Sequence, residues 1–206
     1  MADKSVKKEL RQKKRVEERA RKAREERRRT VLTIGALAVI GAITIGLVVY
    51  SASASNPIGT FVQSLGNQHV SAIGDPHVPY NSVPPTSGPH IGNLASWGIH
   101  TEPIPNELQL HNLEDAGVNI QYDCPTGCPD IVQSLEAIYK SYSDTRGANA
   151  RIIVAPYSGI RTASGGKPIA LTAWQRFLYL DTVDEAQIRQ FIDAYMGIDH
   201  HVSGQG

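Results

Sequence analysis

The sequence predicts an α+β domain outside a membrane, preceded by one transmembrane helix. Three observations predict it: twenty uncharged residues from Val31 to Tyr50, a steep charge difference across them, and alternating strand-like and helix-like patterns beyond residue 110. At 1.5 Å per residue, twenty helical residues span roughly 30 Å, the thickness of a hydrocarbon core. A cleavable signal sequence has a shorter apolar core and a short basic region. The basic region here covers about thirty residues, so an uncleaved anchor is expected.

Residues 1–30 carry fourteen Lys and Arg against six Asp and Glu, which leaves seven basic and fourteen acidic residues beyond the span. Basic residues beside a span stay inside, so Arg27, Arg28 and Arg29 predict a cytoplasmic N-terminus and an extracytoplasmic C-terminal domain at the plasma membrane. The tail is almost devoid of apolar residues and reads as a solvated arm drawn to anionic lipid headgroups. Its interleaved acids argue against nucleic acid as a partner. The expected organisation is tail 1–30, transmembrane helix 31–50, linker 51–60 and outer domain 61–206.

Within the outer domain, residues 61–110 are rich in turn formers, with seven prolines from Pro76 to Pro105, and predict looping chain with short strands. Val118 to Asp123 alternates apolar and polar residues and predicts a strand. Pro129 to Tyr142 predicts a helix, because Val132, Leu135, Tyr139 and Tyr142 share one face and proline suits a first turn. The runs 151–155, 169–174 and 176–180 predict three more strands. A closing helix follows over 184–197, with Ile188, Phe191, Ile192 and Tyr195 as its apolar stripe.

The segments VPYNSVPPTSGPH (78–90), LHNLEDAGVNIQYDCPTGCP (110–129), APY (155–157) and ALTAWQR (170–176) together resemble the bacterial domain family DUF3105 over roughly residues 68–200. The resemblance implies a membrane-anchored or exported domain and brings no established activity. Relatives commonly read HNLEHG where this chain has Asp115 at the second histidine and Ala116 extra, so a ligand there would be altered or lost.

Cys124 and Cys128 are the two cysteines of the chain, between a predicted strand and a predicted helix. Three readings stay open: a local disulfide that pins the helix start, a thiol exchange site favoured by the helix dipole, or a copper site. The spacing looks like that of Sco-type copper chaperones, where a distant histidine completes the site. With the element order, that likeness suggests an abbreviated thioredoxin-like core in which Pro168 faces the cysteines.

Seven histidines all lie beyond the span, at 69, 77, 90, 100, 111, 200 and 201. His90 and His111 sit in the strongest motifs and are the leading candidate metal ligands, with Glu114 three residues after His111 and Met196 as a soft donor. His200 and His201 are weaker candidates, and His69 is expected to matter little. No G-x-S-x-G, H-E-x-x-H or phosphate-loop motif is present, and Ser87 in PPTSGPH reads as part of a rigid loop presenting His90. The functional expectation is transition-metal binding, copper foremost, for storage, delivery or electron transfer. A non-catalytic accessory subunit of an envelope or respiratory membrane complex and a thiol oxidoreductase are the alternatives.

Overall fold

The structure, a computed structural model, describes residues 21–46, apart from 23, 26 and 36, and residues 57–201. The first twenty residues of the basic tail, positions 47–50 of the expected span, linker positions 51–56 and the last five residues lie outside the described residues. The chain divides into two units, Met1–Pro57 and Ile58–Gly206. In the first, helix α1 (Arg27–Gly46) is long and apolar enough to cross a membrane, and none of its described residues is buried.

The second unit is mixed α+β. Its six strands are β1 (Thr60–Phe61), β2 (Gly98–Ile99), β3 (Val118–Tyr122), β4 (Ile152–Pro156), β5 (Ile169–Ala173) and β6 (Arg176–Leu180). They form one sheet in the order β1-β6-β5-β3-β4-β2. β4 runs parallel to both β3 and β2, whereas β5 is antiparallel to β3 and β6, and β1 is antiparallel to β6. The helices are α2 (Asn106–Glu114), α3 (Pro129–Arg146), α4 (Ile160–Ser164) and α5 (Glu185–Tyr195).

The two-residue period of the strands sorts their side chains between two faces. Val118, Ile120, Ile152, Val154, Ile169, Leu171 and Ala173 point to one face and pack against Leu135, Ile138 and Tyr142 of α3 and Ile188, Phe191 and Ile192 of α5. Each fully buried aliphatic or aromatic side chain there contributes about 1.5–3 kcal/mol, so this layer is the main source of stability. Asp184 caps α5, its Oδ1 accepting from Gln187 N at 3.0 Å.

The opposite face carries Asn119, Gln121 and Thr172, all fully buried. Helix α2 covers it through Gln109, whose Oε1 accepts from Asn119 Nδ2 at 3.2 Å and from Gln121 Nε2 at 2.8 Å. Buried amides need such partners, and the amide cluster fixes the register of α2 on the sheet. Gly117 ends the α2–β3 turn beneath Trp97, where an added Cβ would come within 2.6 Å of the indole.

The expected order of strand, helix, three strands and helix is present in β3 to α5, with α3 four residues longer at its end than the pattern predicts. Helices α2 and α4 were not expected. Most of α2 is buried, but Gln109, His111, Asn112 and Glu114 are among its buried residues, so it has no apolar stripe to read. Pro168 lies beside the cysteine segment, its carbonyl accepting from Asp123 N at 2.8 Å.

Candidate metal centre

The PPTSGPH segment is a rigid loop because each of its parts has a fixed partner. Ser87 Oγ accepts from Leu65 N at 3.1 Å, Gly88 N donates to Gly66 O at 3.0 Å, and Tyr80 Oη donates to Pro89 O at 2.7 Å. Ser87 is fully buried and spent on this bond, which suits a structural role. Gly88 has φ +127° and packs on Tyr80, whose ring would lie 3.2 Å from an added Cβ, so this position requires glycine. Two backbone bonds then pair the strand-like segment around His69 with His90: Val70 N to His90 O at 2.8 Å and His90 N to Gln68 O at 3.0 Å.

Helix α2 brings up the other side. His111 and Glu114, three residues apart, share a helix face and meet the loop histidines. Ring centroids of His69, His90 and His111 are 4.9, 5.2 and 5.3 Å apart pairwise. One nitrogen from each and one oxygen of Glu114 all lie within 4.8 Å of one another. Glu114 Oε2 is central, 2.9 Å from His90 Nε2, 3.9 Å from His69 Nε2 and 3.8 Å from His111 Nδ1. With metal bonds of 2.0–2.1 Å the edges of a coordination tetrahedron are about 3.4 Å, so the cluster is within a small contraction of ligating distance.

Hydrogen bonding fixes which atoms are free to ligate. His90 Nδ1 donates to Gly88 O at 2.8 Å, which turns Nε2 toward the carboxylate. A neutral ring then sets one acceptor against another at 2.9 Å, a contact that calls for a shared proton or cation. Asn67 Nδ2 donates to Glu114 Oε1 at 2.8 Å and leaves Oε2 facing the imidazoles. His111 Nδ1 is buried and has no hydrogen-bond partner among the described residues. Burial, and then the neighbouring His90, push the His111 pKa below its ordinary value and favour the neutral, ligating ring. Convergent imidazoles and a carboxylate, with outer hydrogen bonds orienting His90 and Glu114, are features that suit a metal-ligand set.

His90, His111 and Glu114 are thus brought together, and Met196 is set apart. Met196 packs at the edge of the main core and lines a separate cavity with Ala116, Arg146, Asn149, Arg151, Gly197 and Asp199. It ends α5 and follows the apolar stripe of that helix, which places its thioether with the core. His69 takes the position instead, against its expected unimportance, through the backbone pairing with His90 that sequence spacing does not reveal. Asn67 was also not anticipated; no spacing signal links it to Glu114.

The last described residues border the cluster. His200 N donates to Glu114 O at 3.0 Å, and His201 Nε2 lies 3.7 Å from Glu114 Oε2. His200 stacks on Trp174, and burial lowers its pKa. His201 Nδ1 bonds Asp199 Oδ1 at 2.8 Å, which raises its pKa, and lies 3.4 Å from Asp115 Oδ1. His111, Asp115 and His201 form a second, more exposed group of possible ligands, in which Asp115 faces His201. The side chain of His69 is 52% exposed, against 1% for Glu114, and a cavity of about 510 Å³ lined by Leu65, Asn67, Gln68, His69, Glu114 and His201 opens beside it.

Cys124 and Cys128 are joined as a disulfide with Cα atoms 5.7 Å apart. They follow the C-terminal end of β3, whereas Glu114 precedes its N-terminal end, and neither sulfur belongs to the cluster. Residues 71–203 match the family model described as DUF3105, protein of unknown function. No curated protein and no solved structure matches the chain.

Proposed function

The chain belongs to the DUF3105 family, and from that premise we propose that its second unit is a transition-metal-binding domain tethered to the plasma membrane by α1. The observation that carries the reading is the convergence of His69, His90, His111 and Glu114, with His90 Nε2 and Glu114 Oε2 held 2.9 Å apart. Three imidazoles and a carboxylate suit a divalent ion. With no thiolate or thioether among them, nothing favours copper(I), and among common divalent ions this donor set binds copper(II) most tightly. The exposed side of His69 gives an exchange route to solvent, which fits storage or delivery.

The charge split around α1 supports a cytoplasmic basic tail and an extracytoplasmic domain. The segment β3-α3-β4 followed by β5-β6-α5 supports an abbreviated thioredoxin-like core: two parallel strands linked through a helix, then an antiparallel hairpin, in the order β6-β5-β3-β4.

The competing reading is a metal-free accessory subunit of a membrane complex. Elemental analysis of the full chain in detergent, before and after loading with copper(II) or zinc and dialysis, separates the two. The metal reading expects about one tightly retained ion per chain, lost on chelation. Retention of neither ion would leave the accessory reading.

A further inference from the structure

We propose that the Cys124–Cys128 disulfide is a second, chemically separate site, which exchanges with dithiols of other proteins on its own side of the membrane. Nothing in this rests on the metal reading. The bridge closes a five-residue turn whose ends are already held by β3 and α3, so the fold gains little positional information from it. Within the turn Gly127 N donates to Cys124 O at 3.0 Å, and Val132 N donates to Cys128 O at 3.1 Å. Both cysteines are half-buried, while Pro125, Thr126, Gly127, Pro129 and Asp130 around them are exposed. The bridge therefore sits in a turn whose other residues face solvent.

The two sulfurs differ, and the difference assigns their roles. Cys128 is the N-cap residue of α3, an 18-residue helix with Pro129 and Asp130 in its first turn, and in the bridged form its side chain makes no capping hydrogen bond. The positive end of the helix favours a thiolate on Cys128 and makes it the better leaving group. Cys124 is tied to a fixed neighbour. The Asp123 carboxylate accepts from Gly159 N at 2.9 Å and Arg161 N at 3.0 Å, Arg161 Nε donates to Asp123 O at 2.7 Å, and Asp123 N bonds Pro168 O. This positions Cys124 as the sulfur that receives the incoming group.

The reaction balances as a two-electron exchange. A partner thiolate attacks Cys124 Sγ, the Cys124–Cys128 bond breaks, and its electron pair leaves on Cys128 as thiolate. The partner's second thiol loses its proton and attacks its own sulfur in the mixed disulfide, releasing Cys124 as thiolate. The partner ends as a disulfide, oxidised by two electrons, and this chain ends as the dithiol.

The test uses the full chain in detergent and a synthetic peptide carrying two reduced cysteines. Acid quenching and mass spectrometry should show peptide oxidation matched by two new thiols at 124 and 128, with the mixed disulfide on Cys124 in excess over Cys128 by about tenfold. Alkylation of Cys128 in Cys124→Ser should proceed at lower pH than that of Cys124 in Cys128→Ser. A bridge that stays intact under a large excess of the peptide would overturn the proposal and leave a structural disulfide. Because the wild-type reaction needs no variant, a misfolded variant does not protect the proposal.

Discussion

His90 and Glu114, 24 residues apart in the chain, meet at 2.9 Å through Nε2 and Oε2, both buried, with His90 Nδ1 committed to the Gly88 carbonyl on the ring's other side. The pair ties the PPTSGPH loop to α2 and sets the geometry around which His69 and His111 gather. Its protein-only form is electrostatically incomplete unless a proton or a cation is shared. Stability and metal affinity should therefore respond differently to the same substitution.

Glu114→Gln separates them. The amide Nε2 can donate to His90 Nε2, so the metal-free domain should keep its melting temperature or gain slightly. Metal affinity should fall by at least about a hundredfold, since a charged ligand is lost. Differential scanning fluorimetry with and without metal, paired with a competition titration, reads both effects.

His69→Ala should weaken metal binding strongly while changing the metal-free melting temperature only a little, because about half of its side chain is in solvent. Asn67→Ala removes the bond that orients Glu114 and should cost about 10–100-fold in affinity. Equal affinities for wild type and both variants in a chelator competition would remove His69 and Asn67 from the site.

The pH dependence of the metal-free domain follows from His111 and His200, whose pKa values burial lowers below 6.5. Such a group contributes stability that is fully present above its unfolded pKa and lost as pH falls through the folded one. His201 is shifted upward and acts oppositely, its contribution lost as pH rises through its folded pKa, but it is more exposed and its effect is smaller. Net stability should decline as pH drops below 6.5. His111→Gln should flatten that decline in urea titrations taken at successive pH values.

Replacing both Cys124 and Cys128 by serine should lower stability by about 2 kcal/mol, the chain-entropy value for a five-residue loop. Metal content should not change, because neither sulfur belongs to the cluster. Urea midpoints and elemental analysis on the same preparation check both statements.

A reporter fused after Gly206 should be active only outside the cytoplasm. Reversing the charges of Arg27, Arg28 and Arg29 should disturb insertion, since basic residues beside the span weigh most. Protease protection in intact and opened cells reads the same topology.

Much of the fold was legible because β3 to α5 obey simple periodicities. Ile188, Phe191 and Ile192 reveal α5, and alternating Val118 and Ile120 reveal β3. Helix α2 was hidden by its buried Gln109, His111, Asn112 and Glu114, polar residues used for a hydrogen-bond network and for the histidine cluster. His90, His111 and Glu114 could be picked out as residues held in rigid or helical context. His69 could not, because its place depends on backbone pairing across 21 positions of irregular chain, and Met196 looked like a donor only in the absence of a third dimension.

The four donors at positions 69, 90, 111 and 114 all precede the first residue of β3, on whose far side the core that positions them is built. A chain emerging N-terminus first therefore exposes these candidate ligands before their scaffold exists. A metal met during synthesis finds loose side chains and is selected by intrinsic affinity, whereas a metal met after folding is also selected by geometry. On the metal reading, the compartment and moment of folding would then help to determine which ion the finished protein carries.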